Sequence, residues 1–292
     1  VIGPVLLVGA AGYALGRARL VDAQPLTSLS VAVLAPAIAF FAVTTATRDH
    51  SILARMAVYL FIQLAVIGAI AASAGFAFGW DRTRRTGLLL AALFSNAGNA
   101  GLPLALFAWG RAGLAAALAF FAVQAVVTSI LAAYLAAQAQ GGARRALRAL
   151  ARQPITYAVA AGLALDALGV VPPGPVAKAA ELLANGAVAV MLLLIGVQLA
   201  QVRPAGEWPA IAAASVIRLG VAPVVAWVSA PWVGLDGVAR QTSILQSSLP
   251  TAVTAAIWAS EFGVAPALVS GAVIVTTLLS PLTVAVLLTL LR

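Results

Sequence analysis

The sequence has no cysteine, one histidine and only eight acidic residues among 292. Without cysteine there are no disulfides, thiolate metal sites or thiol nucleophiles, and the redox compartment is left open. His50, placed in a surface loop, cannot complete an intramembrane Ser–His pair. There is no H-E-x-x-H zinc motif, no pair of aspartates in facing apolar segments and no aspartate-rich magnesium motif. The chain therefore does not read as an enzyme, and neither a cofactor nor a metal is expected. Charged residues of both signs make up 9% of the chain, against about 25% in a soluble domain.

What is present is apolar. Hydrophobic residues account for 63% of the chain, and the mean hydropathy is +1.07. The runs are rich in Ala, Leu, Val and Gly and have helical lengths, unlike the roughly ten-residue alternating segments of a membrane β-barrel. The expected fold is an all-α integral membrane bundle. Its net charge of +9 is read as loop arginines that set topology, not as a nucleic-acid surface. The chain begins at Val1 with a short apolar run, read as missing a few preceding residues. No cleavable signal-peptide pattern is seen.

A spanning helix needs about 20 apolar residues. Ten spans are expected, at about 1–16, 25–46, 52–79, 87–110, 112–137, 154–171, 175–200, 208–230, 237–260 and 265–291. The longest connection, 138–153, carries Arg144, Arg145, Arg148 and Arg152. Placing it in the cytoplasm puts ten basic residues inside against six outside, and both termini outside. The expected location is the inner membrane, multi-pass. Trp80, Trp208 and Trp258 then fall at inner ends, and Trp109, Trp227 and Trp232 at outer ends.

The fourth and ninth spans are unusual. The fourth reads LFSNAGNAGLPLALFAWG and the ninth SILQSSLPTAVTAAIWASEFG. Each is the fourth span of a five-span half, and each places a polar cluster just before Leu-Pro, at Pro103 and Pro250. Proline removes a backbone donor and clashes with the carbonyl four residues earlier. Gly98 and Gly101 loosen the backbone further. The helices should open near 96–102 and 246–250. Because five is odd, the halves 1–137 and 154–292 are inverted relative to each other. Broken backbone at membrane depth must line a cavity or be buried in protein. Asn96, Asn99, Gln246, Ser247, Ser248 and Thr251 can bond the freed groups or a solute. The half-helices starting at Pro103 and Pro250 present amide ends, which favour an anion.

NAGNAGLPL at 96–104, the Leu-Pro ninth span and VIVTTLLSPLTVAVLLTLL at 273–291 resemble the auxin efflux carrier family, with weaker support from RLGVAP and MLLLIGVQLA. The resemblance covers the whole chain. It implies ten helices with crossed, discontinuous fourth and ninth spans, similar to sodium–bile acid symporters and sodium–proton antiporters. Spans 1, 2, 6 and 7 would be a scaffold, and 3–5 and 8–10 a transport unit moving in an elevator-like manner. The implied substrates are small organic anions such as auxin-like carboxylates or dicarboxylates. The chain departs from the sodium- and proton-coupled carriers in having no carboxylate in either break. A sodium-coupled symporter, and outside that class a channel or a membrane sensor, are the alternative readings.

Other polar residues fall inside the membrane. Arg218 could attract the anion or brace the crossover, or simply pair with carbonyls at a helix break. Asn185 could reach the cavity from the scaffold. Gln124, Thr128 and Ser129 in the fifth span, and Thr276, Thr277 and Ser280 in the tenth, with Thr277 foremost, could support the crossover or an ion. Interhelical hydrogen bonding is the plainer role for these sets. The expected partners are an organic anion and the lipid bilayer, with room for a homodimer through the scaffold spans.

Overall fold

The computed structural model describes residues 2–46, 50–140, 151, 153–201 and 207–291. The central cluster Arg144, Arg145, Arg148 and Arg152, together with Arg48, Arg203 and Arg292, lies outside the described residues, as do the side chains of His50 and Ser129. The described chain is helical. Its one β-type pairing among the described residues is an isolated bridge between Ser95 and Thr251.

The helices are α1 (Ile2–Arg17), α2 (Ala23–Leu29), α3 (Ala35–Phe41), α4 (His50–Ala77), α5 (Arg82–Leu93), α6 (Leu102–Gln140), α7 (Pro154–Ala167), α8 (Gly174–Gln201), α9 (Trp208–Val216), α10 (Ala222–Ser229), α11 (Gly237–Ser247), α12 (Val253–Glu261) and α13 (Pro266–Leu290). Their ends carry ordinary stop signals. Asp81 caps α5 by accepting a hydrogen bond from the Arg84 amide at 2.8 Å. After α7, Gly169 turns left-handed, and the Val170 amide reaches back to the Leu165 carbonyl at 2.8 Å, which satisfies carbonyls the helix leaves open.

Wide π-turns occur at Ser30–Leu34, Ala42–Ala46, Ala97–Gly101 and Ile217–Val221. Three of them end two residues before a proline, at Pro36, Pro103 and Pro223. The cause is the ring, which cannot donate and crowds the preceding turn, and a π-turn gives it room. Through Ser30–Leu34 and Ile217–Val221 the helix continues unbroken, so α2–α3 and α9–α10 are single bulged rods.

Among the described residues, six helices are long and apolar enough to cross a membrane: Ala23–Thr44, Ser51–Ala77, Ala97–Thr128, Gly174–Gln201, Trp208–Val233 and Pro266–Leu290. The third of these is not one rod, because Trp109 and Gly110 leave helical geometry, Gly110 with φ 62°. A methyl added to Gly113 would collide with the Ala105 carbonyl. Eight residues of continuous helix span about 12 Å, so the chain turns back on itself there. Leu7, Phe61 and Leu182 are more than 70% exposed, while Thr242, Ser243 and Gln246 are completely buried. Apolar outside and polar inside is the distribution a lipid solvent imposes.

The helices group into two compact units. One comprises Val1–Ala54 and Gly98–Gln201, the other Arg55–Ala97 and Val202–Arg292. In the first unit, α1 lies close along α8, where glycine brings the backbones together. A methyl on Gly16 would stand 2.9 Å from Ala200 Cβ. In the second unit, α13 packs against α5 and α9. A surface ion pair joins Arg84 Nε to Glu207 Oε2 at 3.2 Å.

Candidate functional site

Within the second unit two helices stop short at the same place. α5 ends at Leu93, and Phe94 is extended at φ −100°, ψ 110°. α11 ends at Ser247, and by Ala252 the chain is extended at φ −69°, ψ 140°. The two extended stretches pair antiparallel. The Asn96 amide donates to the Pro250 carbonyl, and the Ala252 amide to the Phe94 carbonyl, each at 2.8 Å. Phe94 also sets its ring edge-on to Trp258, with centroids 5.3 Å apart.

A helix end leaves its last carbonyls without partners, and burying them unpaired is costly. At the end of α5, the Ala91 carbonyl accepts from Thr251 Oγ1 at 2.8 Å, and the Ala92 carbonyl from Arg218 Nη1 at 2.8 Å. At the end of α11, the Ile244 carbonyl accepts from the Ser248 hydroxyl at 2.7 Å. The Ser247 and Leu249 carbonyls accept from Arg218 Nη2 and Nε, the latter at 2.8 Å. The Thr251 amide donates to Thr276 Oγ1 at 3.0 Å. Protein donors thus meet carbonyls at the carboxyl ends of both breaks.

Arg218 is the hub. It sits in the π-turn Ile217–Val221 and is 1% exposed. The planar fork of a guanidinium lets it reach three carbonyls on two different chain segments at once. In the structure it pairs with main-chain carbonyls of both interrupted segments.

Other expected residues gather around this hub. Asn96, Gln246, Ser247, Ser248, Pro250 and Thr251 are all buried in the second unit. Gly98, Asn99, Gly101, Pro103, Gln124, Thr128, Ser129 and Asn185 belong to the first unit. There Gly98 and Asn99 lie in the π-turn before α6, and a methyl on Gly98 would stand 2.9 Å from the Phe121 ring. Thr128 bonds its own helix at the Ala125 carbonyl, and Asn185 is exposed on α8. On α13 it is Thr276, fully buried, that accepts from the Thr251 amide, while its neighbour Thr277 is half-buried.

Behind the crossing lies a polar layer that sequence reasoning missed. Tyr59 Oη lies 3.4 Å from both the Ala226 and Ser243 carbonyls, and Gln63 Nε2 donates to Ser229 Oγ at 2.6 Å. Tyr59 and Gln63 are four residues apart on α4, so they share a helix face. That spacing was the available signal, but it is weak in so apolar a segment. The hydroxyls of Thr242 and Ser243 are buried without a hydrogen-bond partner among the described residues.

Broken apolar helices, polar groups at their centre and a greasy exterior define a polytopic membrane protein of the transport class. The signature of the Membrane transport protein family matches residues 143–288. A Rhizobium meliloti protein provisionally named a malonate transporter is similar, at 32% identity over 211 residues covering 69% of this chain and 66% of the relative. An uncharacterized transporter of Methanocaldococcus jannaschii is 22% identical over 290 residues, or 96% of this chain and 94% of that protein. The chain belongs to this membrane transport protein family, the family of the auxin efflux carriers, and is a transporter and not an enzyme.

Proposed function

We propose that the chain is a secondary carrier of small organic anions that works by alternating access at the paired breaks. The observation that carries this reading is the antiparallel meeting of 94–96 with 250–252. The carboxyl ends there are closed by protein, and α12 and the turn leading to α6 resume immediately afterwards in the chain. Amide ends without intrahelical partners then face the place where a carboxylate would sit. The relative's provisional name makes malonate the first probe.

In the same reading the chain has ten spans in two inverted halves, 1–137 and 154–292, joined by a cytoplasmic linker at 138–153. Spans 1, 2, 6 and 7 form the scaffold, with a homodimer contact on it, and spans 3–5 and 8–10 carry the substrate. Span three, the first part of span four and spans eight to ten group into one compact unit, which supports a body that moves as one, while the rest of span four and span five group with spans 1, 2, 6 and 7. Both termini lie on the outer face of the inner membrane.

Uptake of radiolabelled malonate into proteoliposomes tests the function. Wild-type protein should accumulate it, and Asn99→Ala and Pro103→Ala should abolish uptake while eluting as folded protein. Variants with wild-type uptake would remove the assigned site. Running the assay with and without sodium or proton gradients separates coupled from facilitated transport. The absence of native cysteine makes topology direct to read. Thr83→Cys should react with an impermeant maleimide only from the cytoplasmic side, and Val171→Cys only from outside.

A further inference from the structure

The amide ends of broken helices do not by themselves select an anion. A helix carries roughly +0.5 charge at its amino end and −0.5 at its carboxyl end. Each break creates one end of each kind, a few residues apart, so a break is nearly neutral. Two breaks meeting at one point are nearly neutral too. Something must remove the carboxyl ends from the electrostatic balance if the amino ends are to attract a negative solute.

Arg218 is placed to do this. Its guanidinium donates to Ala92 at the carboxyl end of α5 and to Ser247 and Leu249 at and just past the carboxyl end of α11. These ends sum to about −1, and the guanidinium brings +1. What is left uncompensated in the second unit is the amino end where α12 begins. Neither interruption carries a carboxylate of its own, since the eight acids are Asp22, Asp49, Asp81, Asp166, Glu181, Glu207, Asp236 and Glu261, all outside 94–103 and 246–252 in sequence. Thr251 and Thr276 cannot supply the charge, because their hydroxyls are neutral.

We propose that Arg218 is the residue that makes this crossing select anions. It is a positioning residue. Its guanidinium donates to three main-chain carbonyls and it is 1% exposed, so it acts on the substrate through the helix ends it neutralises. The fork holds the two breaks in register, and the charge sets the sign of the solute. The inference rests on the carrier reading above and adds the origin of its charge preference.

The test uses the full chain. In proteoliposomes, malonate KM and Vmax are measured for wild type, Arg218→Lys and Arg218→Gln, with malonamide, the neutral diamide, as competitor. Lysine keeps the charge and loses the fork, so its KM should stay within about threefold of wild type and malonamide should remain a poor competitor, although the protein melts earlier. Glutamine loses the charge, so KM should rise at least about 30-fold, by more than Vmax falls, and malonamide should compete as well as malonate. A glutamine variant with wild-type KM and preference, or a lysine variant that loses preference as fully as glutamine, would overturn the proposal. The wild-type arm alone reads the carrier hypothesis.

A second measurement needs no substrate and also covers a glutamine variant that does not fold. Arg218→Ala in detergent is melted with millimolar guanidinium or with urea, its neutral counterpart of similar shape. Guanidinium should raise Tm by several degrees and urea should not. Equal effects, or none from either, would show that the site does not require a cation.

Discussion

Pro223 and Pro250 stand in neighbouring spans of one unit and do opposite things. At Pro223 the helix widens into the π-turn Ile217–Val221 and goes on, with Ala222 still at φ −60°, ψ −41°. At Pro250 the helix has ended, and the chain runs extended to Ala252. The ring chemistry is the same in both. The difference is the supply of donors. A proline displaces one hydrogen bond, which a π-turn absorbs. Opening the helix exposes several carbonyls in a medium without water, and the chain opens only where Arg218, Thr251, Ser248 and the Asn96 amide stand ready to bond them. Pro36 behaves like Pro223. Pro103 combines both modes, a π-turn at Ala97–Gly101 preceded by open backbone at 94–96.

The comparison can be broken by substitution, starting with the largest effect. Pro250→Ala lets α11 continue as helix through the break, and malonate uptake should fall about 100-fold with Tm unchanged or raised. Wild-type uptake would mean the opening does not depend on that ring. Thr251→Val removes the donor to the buried Ala91 carbonyl, and leaving such a group unsatisfied costs about 1–3 kcal/mol. It should lower the melting temperature by several degrees in detergent. Thr276→Val takes away the acceptor of the Thr251 amide and should cost about 1–2 kcal/mol, whereas Thr277→Val should stay within about 0.5 kcal/mol. Equal losses at 276 and 277 would move the support elsewhere on α13.

Pro223→Ala should change uptake by less than about threefold, because the three carbonyl bonds of Arg218 hold the turn that the ring began. A collapse of uptake would instead make the proline responsible for aiming Arg218. Glu207→Gln breaks the exposed pair with Arg84 and should shift stability by at most about 1 kcal/mol, less in high salt.

Particular residues show how far the sequence could be read. The low charge and long apolar runs required a helical membrane protein. Leu102-Pro103 and Leu249-Pro250 marked both interruptions to within a few residues, because proline, glycine and clustered amides act locally. Arg218 was conspicuous as a charge inside a span, but its partners were not, since they lie on Ala92, Ser247 and Leu249. Thr276 and Thr277 are indistinguishable as letters. Which one bonds the Thr251 amide depends on how α13 is rotated against the break. Tyr59 and Gln63 were lost in an apolar run whose helical period hides two polar members.

By itself the sequence determined the solvent of this protein and the positions where its helices could not stay whole, because transfer from water to lipid and proline sterics are properties of single residues and short windows. Only the tertiary structure decided which residues of the two interruptions pair, 94–96 with 250–252, and that one arginine bonds carbonyls of both. A carbonyl freed in hydrocarbon must find a donor, and which donor lies within 3 Å is settled by packing between segments far apart in the chain.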